Sequence, residues 1–118
     1  MYSIKVEAYF SSAHNLRGYK GKCEALHGHN WKVEAAISSD TLDKVVMVVD
    51  FHKFKSSLQA VLEKLDHKYL NNIAPFNKIN PTSENIAQYI FTRLKLKVGN
   101  LSSITVWENN TSAATYEE

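Results

Sequence analysis

Cysteine is almost missing from this chain. With Cys23 as the lone thiol, no intrachain disulfide can form. That thiol is left with three roles, a buried small residue, a metal ligand or a reactive group. Its neighbours Lys22 and Glu24, in a stretch with Gly18 and Gly21, argue against a core position. An excess of one charge sign is also lacking. The formal net charge is +2, far from the dense basic stripe of a nucleic-acid-binding domain, and aromatic and basic residues do not interleave. No apolar run approaches the ~20 residues of a membrane span. Lys5 and Glu7 bring charge too early for a signal peptide, which makes a cytoplasmic protein the expectation. No linker, internal repeat or low-complexity segment breaks the chain, and its 118 residues suit one domain spanning 1–118.

What is present is periodic. Ile4, Val6, Ala8 and Phe10 alternate with Lys5, Glu7 and Tyr9, which predicts a half-buried strand with His14 just beyond its end. Trp31, Val33, Ala35 and Ile37 alternate with Lys32 and Glu34 in a second strand, expected to run antiparallel to the first, with His27 and His29 at or just before its start. Asp50 is an N-cap for a helix carrying Phe54, Leu58, Val61, Leu62 and Leu65 at helical spacing. After a loop with Pro75 and Asn80, Pro81 followed by Thr82 or Ser83 as cap opens a second helix whose buried stripe is Ile86, Ile90 and Leu94. Ile104, Val106 and Glu108 share one face of a further strand, and Ala113 to Glu118 supplies a last one. The expected architecture is α+β in ββααββ order, an antiparallel four-stranded sheet with two helices on one face. Such a sheet leaves a face and its edges in need of partners, which favours a homo-oligomer.

The chemistry-bearing residues are concentrated. His14 and the pair in His27-Gly28-His29 lie close together in sequence around Cys23. On a strand, positions i and i+2 project from one face about 6.6 Å apart at the root, a spacing compatible with two metal–nitrogen bonds of ~2 Å. His14 is the candidate third ligand. Three imidazoles without an obvious fourth protein ligand suit a catalytic zinc site with an open position, whereas short His-x-His pairs also occur as ordinary polar strand residues. Asp66-His67 is read from the residues alone as a helix C-terminal turn with a dipole-favoured histidine, and Glu84 as a first-turn acid favoured by the helix dipole. Glu108, on a face shared with Ile104 and Val106, is either exposed at the strand end or partnered by a ligand.

Several separated segments then agree in order and spacing with one family. They are Phe10-Ser11-Ser12-Ala13-His14, Cys23-Glu24-Ala25-Leu26-His27-Gly28-His29, Val49-Asp50-Phe51, Leu65-Asp66-His67, Asn80-Pro81-Thr82-Ser83-Glu84-Asn85 and Trp107-Glu108. The chain resembles the 6-pyruvoyltetrahydropterin synthase / 6-carboxytetrahydropterin synthase family over nearly its whole length. The resemblance implies a tunnelling fold (T-fold) whose trimers close into barrels that stack in pairs as a homohexamer. It implies zinc (Zn2+) at His14, His27 and His29, acid/base work by Cys23, Asp66 and His67 brought together across a subunit boundary, and a pterin anchored by Glu108 near Thr82, Ser83 and Glu84. The implied substrate is 7,8-dihydroneopterin triphosphate, a small molecule, with no nucleic acid or membrane as partner.

Within the family, Cys23-x-x-x-His27 is similar to the bacterial 6-carboxytetrahydropterin synthases of queuosine biosynthesis, which release acetaldehyde and triphosphate. The alternatives are the 6-pyruvoyl synthase reaction and a cleavage to 6-hydroxymethylpterin for folate, a subgroup that Glu24 also matches. A metal-dependent binding module without turnover is the rival from another class. Arg17, Lys20 and Lys22 lie near the site in sequence and are candidates for the triphosphate. Val46 stands where many relatives have glycine, which puts the turn before Met47 in question.

Overall fold

The two alternating runs become a long hairpin of strands, β1 (Tyr2–His14) and β2 (His27–Ser39), paired antiparallel from Tyr2↔Ser39 to His14↔His27. The computed structural model describes residues 1–118 apart from the side chain of Cys23. Both strands outrun the apolar periodicity. His14 is the last residue of β1 rather than lying beyond it, and His27 opens β2, because ladder hydrogen bonds continue where the side chains turn polar. Helix α1 spans Phe51–Leu62, its first turn capped by the Asp50 carboxylate, which accepts from the His52 N–H. Helix α2 spans Ser83–Lys95, and Thr82 rather than Ser83 is its cap, accepting from the Asn85 N–H at 3.1 Å.

Between the helices lies an element that no alternation foretells. β3 is only Lys68–Tyr69 and runs parallel to β1, so with β4 (Leu101–Asn109) and β5 (Ser112–Glu117) the sheet has five strands in the order β3-β1-β2-β4-β5. The expected four-stranded antiparallel sheet is its long part. The addition has a local cause. The Asp66 carboxylate accepts from the Ser11 N–H at 2.8 Å and the His67 N–H donates to the Ser11 carbonyl at 2.6 Å, which draws the chain along the free edge of β1. His67 makes this turn with φ 56, in the left-handed region.

Both helices cover one face. Val6, Ala8 and Phe10 from β1, Trp31 and Val33 from β2, and Ile104 and Val106 from β4 are buried there against Phe54, Leu58, Ile86, Ile90 and Leu94. The opposite face is polar, with the Trp107 indole N–H donating to Glu34 at 3.0 Å and the Lys32 ammonium 4.8 Å from the Trp107 ring centre.

The turn before Met47 forms with Val46 in place. The Asp43 carboxylate accepts from the Val45 and Met47 N–H groups and the Asp43 N–H donates to the Met47 carbonyl. These bonds hold Val46, a β-branched residue, at φ 67. Such a conformation costs about 1–3 kcal/mol, against which a glycine loses roughly 0.5–1 kcal/mol through its freer unfolded chain. Val46→Gly is therefore expected to stabilise by about 1 kcal/mol, raising the thermal midpoint by roughly 3–5 °C. An unchanged or lower midpoint in calorimetry would show that the left-handed geometry is not strained.

Candidate metal centre

The register of β1 against β2 places three rows side by side on the helix-covered face, Phe10↔Trp31, Ser12↔His29 and His14↔His27. The apolar core thus runs directly into imidazoles. Trp31 is fully buried beneath them, stacked on Phe10 and meeting the rings of His14 and His29 edge-on with centroids 4.9 and 5.1 Å away. Ser12, a polar residue on the core face, donates to the Leu65 carbonyl and accepts from the Lys68 N–H, tying the end of α1 to the sheet beside the site.

Backbone carbonyls set the tautomers. His14 Nδ1 lies 2.7 Å from the Pro81 carbonyl and His27 Nδ1 lies 2.8 Å from the Ala25 carbonyl. A carbonyl only accepts, so both Nδ1 atoms carry hydrogen and in the neutral rings both Nε2 lone pairs are free. Those two Nε2 atoms lie 3.0 Å apart. Two bare lone pairs at that distance repel unless a cation lies between them. Protonation is a poor remedy for His14, because burial lowers its pKa and the neighbouring His27 and His29 lower it further, against a rise from its Pro81 hydrogen bond and from Glu108. His29 is lowered mainly by burial as well, and its Nε2 is buried without a hydrogen-bond partner. Three convergent imidazole nitrogens, one of them buried without a partner, fit a metal ion.

A carboxylate joins them. Glu108 Oε1 lies 3.4 Å from His14 Nε2 and 3.3 Å from His29 Nε2, and the donor atoms of His14, His27, His29 and Glu108 all fall within 4.8 Å of one another. Glu108 has no partner in the β4–β5 ladder, which shifts register between Trp107 and Asn109. Alternation with the buried Ile104 and Val106 places Glu108 on the face of the histidines. The sequence offered Glu108 as a candidate for ligand recognition and not as a neighbour of the imidazoles, although its position in line with Ile104 and Val106 was the signal.

Other expected site residues are distributed around this cluster. Thr82, Ser83 and Glu84 begin α2 immediately after Pro81, whose carbonyl holds His14, so the helix start borders the site; Glu84 is exposed. Glu24 is exposed, with its carbonyl accepting from the Asn15 side chain at 3.2 Å. Cys23 lies outside the described side chains. Asp66 and His67 pair with each other at 3.0 Å, and the Asp66 carboxyl is held below its ordinary pKa chiefly by the Ser11 N–H and then by His67. Among the described residues neither belongs to the imidazole cluster. The two lie at the β1 edge away from β2, with His67 83% exposed. Arg17 has a structural task, donating to the Phe76 and Ile79 carbonyls at 2.7 and 2.8 Å, which leaves Lys20 and Lys22 as the freer cations of that stretch.

The arrangement can hold one divalent ion and polarise an oxygen placed on it, with a carboxylate in reach of the same space. Among the described residues no helix is long and apolar enough to cross a membrane. Comparison with known proteins agrees with this geometry. The chain is 37% identical to the 6-carboxy-5,6,7,8-tetrahydropterin synthase of Haemophilus influenzae over 100% of both chains. It is 39% identical to the enzyme of the same name from Synechocystis over 98% of this chain and 93% of the other. The structure of Caenorhabditis elegans 6-pyruvoyl tetrahydropterin synthase superposes with a TM-score of 0.88 at 30% identity, covering 99% of this chain and 95% of that one. The family model described as 6-pyruvoyl tetrahydropterin synthase matches residues 3–118, and the chain belongs to that family, with its T-fold.

Proposed function

We propose that the protein is a zinc-dependent 6-carboxy-5,6,7,8-tetrahydropterin synthase, a lyase of queuosine biosynthesis in the cytoplasm. It takes 7,8-dihydroneopterin triphosphate and one water to 6-carboxytetrahydropterin, acetaldehyde and triphosphate. The observation that carries this reading is the cluster of three imidazoles, two of them with tautomers fixed by Pro81 and Ala25, in a chain similar end to end to synthases of that name. His14, His27 and His29 would hold the zinc, which when bound supplies Lewis-acid polarisation of the hydroxyl oxygens on the substrate side chain.

The chain's own residues do the rest. Cys23 acts as base on the side chain; a free thiol of pKa about 8.5 needs a nearby positive charge to be a thiolate at neutral pH. His67 gives or takes the second proton, and Asp66, already ionised and 3.0 Å away, orients its ring through Nδ1. Glu108 accepts the ring N–H and exocyclic amino group of the pterin, a two-donor edge that matches a carboxylate. Thr82, Ser83 and Glu84 border the ring.

In this reading Asp66 and His67 serve the metal centre of a neighbouring subunit in a homohexamer. Support comes from their position on the far edge of β1 and from the exposed apolar side chains of Tyr2, Val45, Val46, Met47 and Phe51.

Two measurements test the proposal. Incubating zinc-loaded protein with 7,8-dihydroneopterin triphosphate is expected to release acetaldehyde and a pterin with the mass of the 6-carboxy product. A 6-pyruvoyl product retaining every side-chain carbon would instead align the protein with its C. elegans relative, a 6-hydroxymethylpterin would point to the Glu24 subgroup, and intact substrate would make it a binding module. For the shared site, Cys23→Ala and His67→Ala proteins, each inactive, are expected to regain activity when dissociated and reassembled together. Verified mixed oligomers without activity would return Asp66-His67 to a structural helix end.

A further inference from the structure

We propose that Asn15 is a positioning residue for the thiol chemistry, its side-chain amide fastening the backbone beside Cys23 to the strand that follows Asp66-His67. What the thiol does rests on the function proposed above; the fastening rests on hydrogen bonds. The β1–β2 ladder ends at His14↔His27, so the Asn15 backbone has no strand partner. Asn71, a buried amide in the turn after β3, takes that place. Its Oδ1 accepts from the Asn15 N–H and its Nδ2 donates to the Asn15 carbonyl, both at 2.9 Å. One side chain thus satisfies both backbone groups of Asn15 and fixes the direction in which its own side chain leaves the backbone.

The Asn15 side chain then reaches two segments at once. Its Nδ2 donates to the Glu24 carbonyl at 3.2 Å, and its Oδ1 accepts from the Tyr69 hydroxyl at 2.8 Å. The orientation of the amide is forced, because a carbonyl only accepts and must face the NH2 group. The 3-10 turn Lys22–Glu24 depends on this tie. Its backbone bonds are local, from the Glu24 N–H to the Gly21 carbonyl and from the Ala25 N–H to the Lys22 carbonyl. Among the described groups, the Asn15 bond is the one that joins this turn to residues beyond Gly21 and Ala25. Tyr69 stands two residues after His67, so the two segments assigned to proton transfer share a single amide. Proton transfer between positioned groups tolerates little displacement, and about 1 Å can cost roughly 100-fold in rate.

The test compares the zinc-loaded protein with its Asn15→Ala and Tyr69→Phe variants. Cys23 is the only thiol, so iodoacetamide reports on it alone. Asn15→Ala, which removes both side-chain bonds and adds no charge, is expected to be alkylated about 3-fold faster or more while keeping its zinc. Its kcat toward 7,8-dihydroneopterin triphosphate is expected to fall about 10–100-fold with KM within about 2-fold, the split of a displaced reacting group rather than of lost binding. Tyr69→Phe spares the bond to Glu24 and is expected to lose about 2–5-fold in kcat. A lower thermal midpoint with unchanged alkylation and kcat in Asn15→Ala would make Asn15 purely structural and overturn the proposal. Loss of zinc from that variant would place its effect at the histidines and overturn it too. If Asn15→Ala does not fold, a Tyr69→Phe protein with unchanged kcat overturns it. An unsubstituted protein that does not turn over this substrate would end the functional reading, while the alkylation rates would still decide whether Asn15 places the thiol.

Discussion

The site depends on the register of one strand pair. In the β1–β2 ladder Phe10 faces Trp31, Ser12 faces His29 and His14 faces His27, and all six side chains project to the helix-covered face. Side chains alternate with a period of two, so a slip of one residue would send the histidines to the opposite face and the core residues with them. The apolar residues that exclude water from the middle of the hairpin therefore also aim the imidazoles at its end. Burial of Val6, Ala8, Phe10, Trp31, Val33 and Ile37 disfavours any slip, each contributing up to about 1.5–3 kcal/mol when its side chain is large and fully buried.

This coupling of core to site has a chemical consequence. Imidazoles at the end of an apolar face are partly desolvated, which disfavours their protonated forms, and the carbonyls of Pro81 and Ala25 occupy the Nδ1 hydrogens of His14 and His27. Neutral rings with free Nε2 lone pairs are the state a metal requires. Pro81 also precedes Thr82, the cap of α2, so the same turn that starts a helix fixes a ring in the site. Ser12 does likewise from the other side, joining β1 to the end of α1 through Leu65 and to β3 through Lys68.

Much of this was legible in the sequence because it is periodic. The alternation in β1 and β2, the stripe from Phe54 to Leu65 and the cap before Ile86 each identify an element, and His27-Gly28-His29 marks the site. What escaped depends on single contacts between distant residues. β3 has two residues and no pattern; it exists through the bonds of Asp66 and His67 to Ser11. The approach of Glu108 to His14 and His29 depends on the β2–β4 register, which has no periodic signature, as well as on the face that it shares with Ile104 and Val106, which has one. Ser12 carried a readable clue, being polar at a position in step with Phe10 and His14.

Strand register brings the three imidazoles of the ion site together. X-ray absorption at the zinc edge of the substrate-free protein addresses this directly. The spectrum is expected to show three imidazole nitrogens at about 2.0–2.1 Å, one further light donor and no sulfur. A sulfur scatterer at about 2.3 Å, the distance of a zinc–thiolate bond, would make Cys23 a ligand and contradict it.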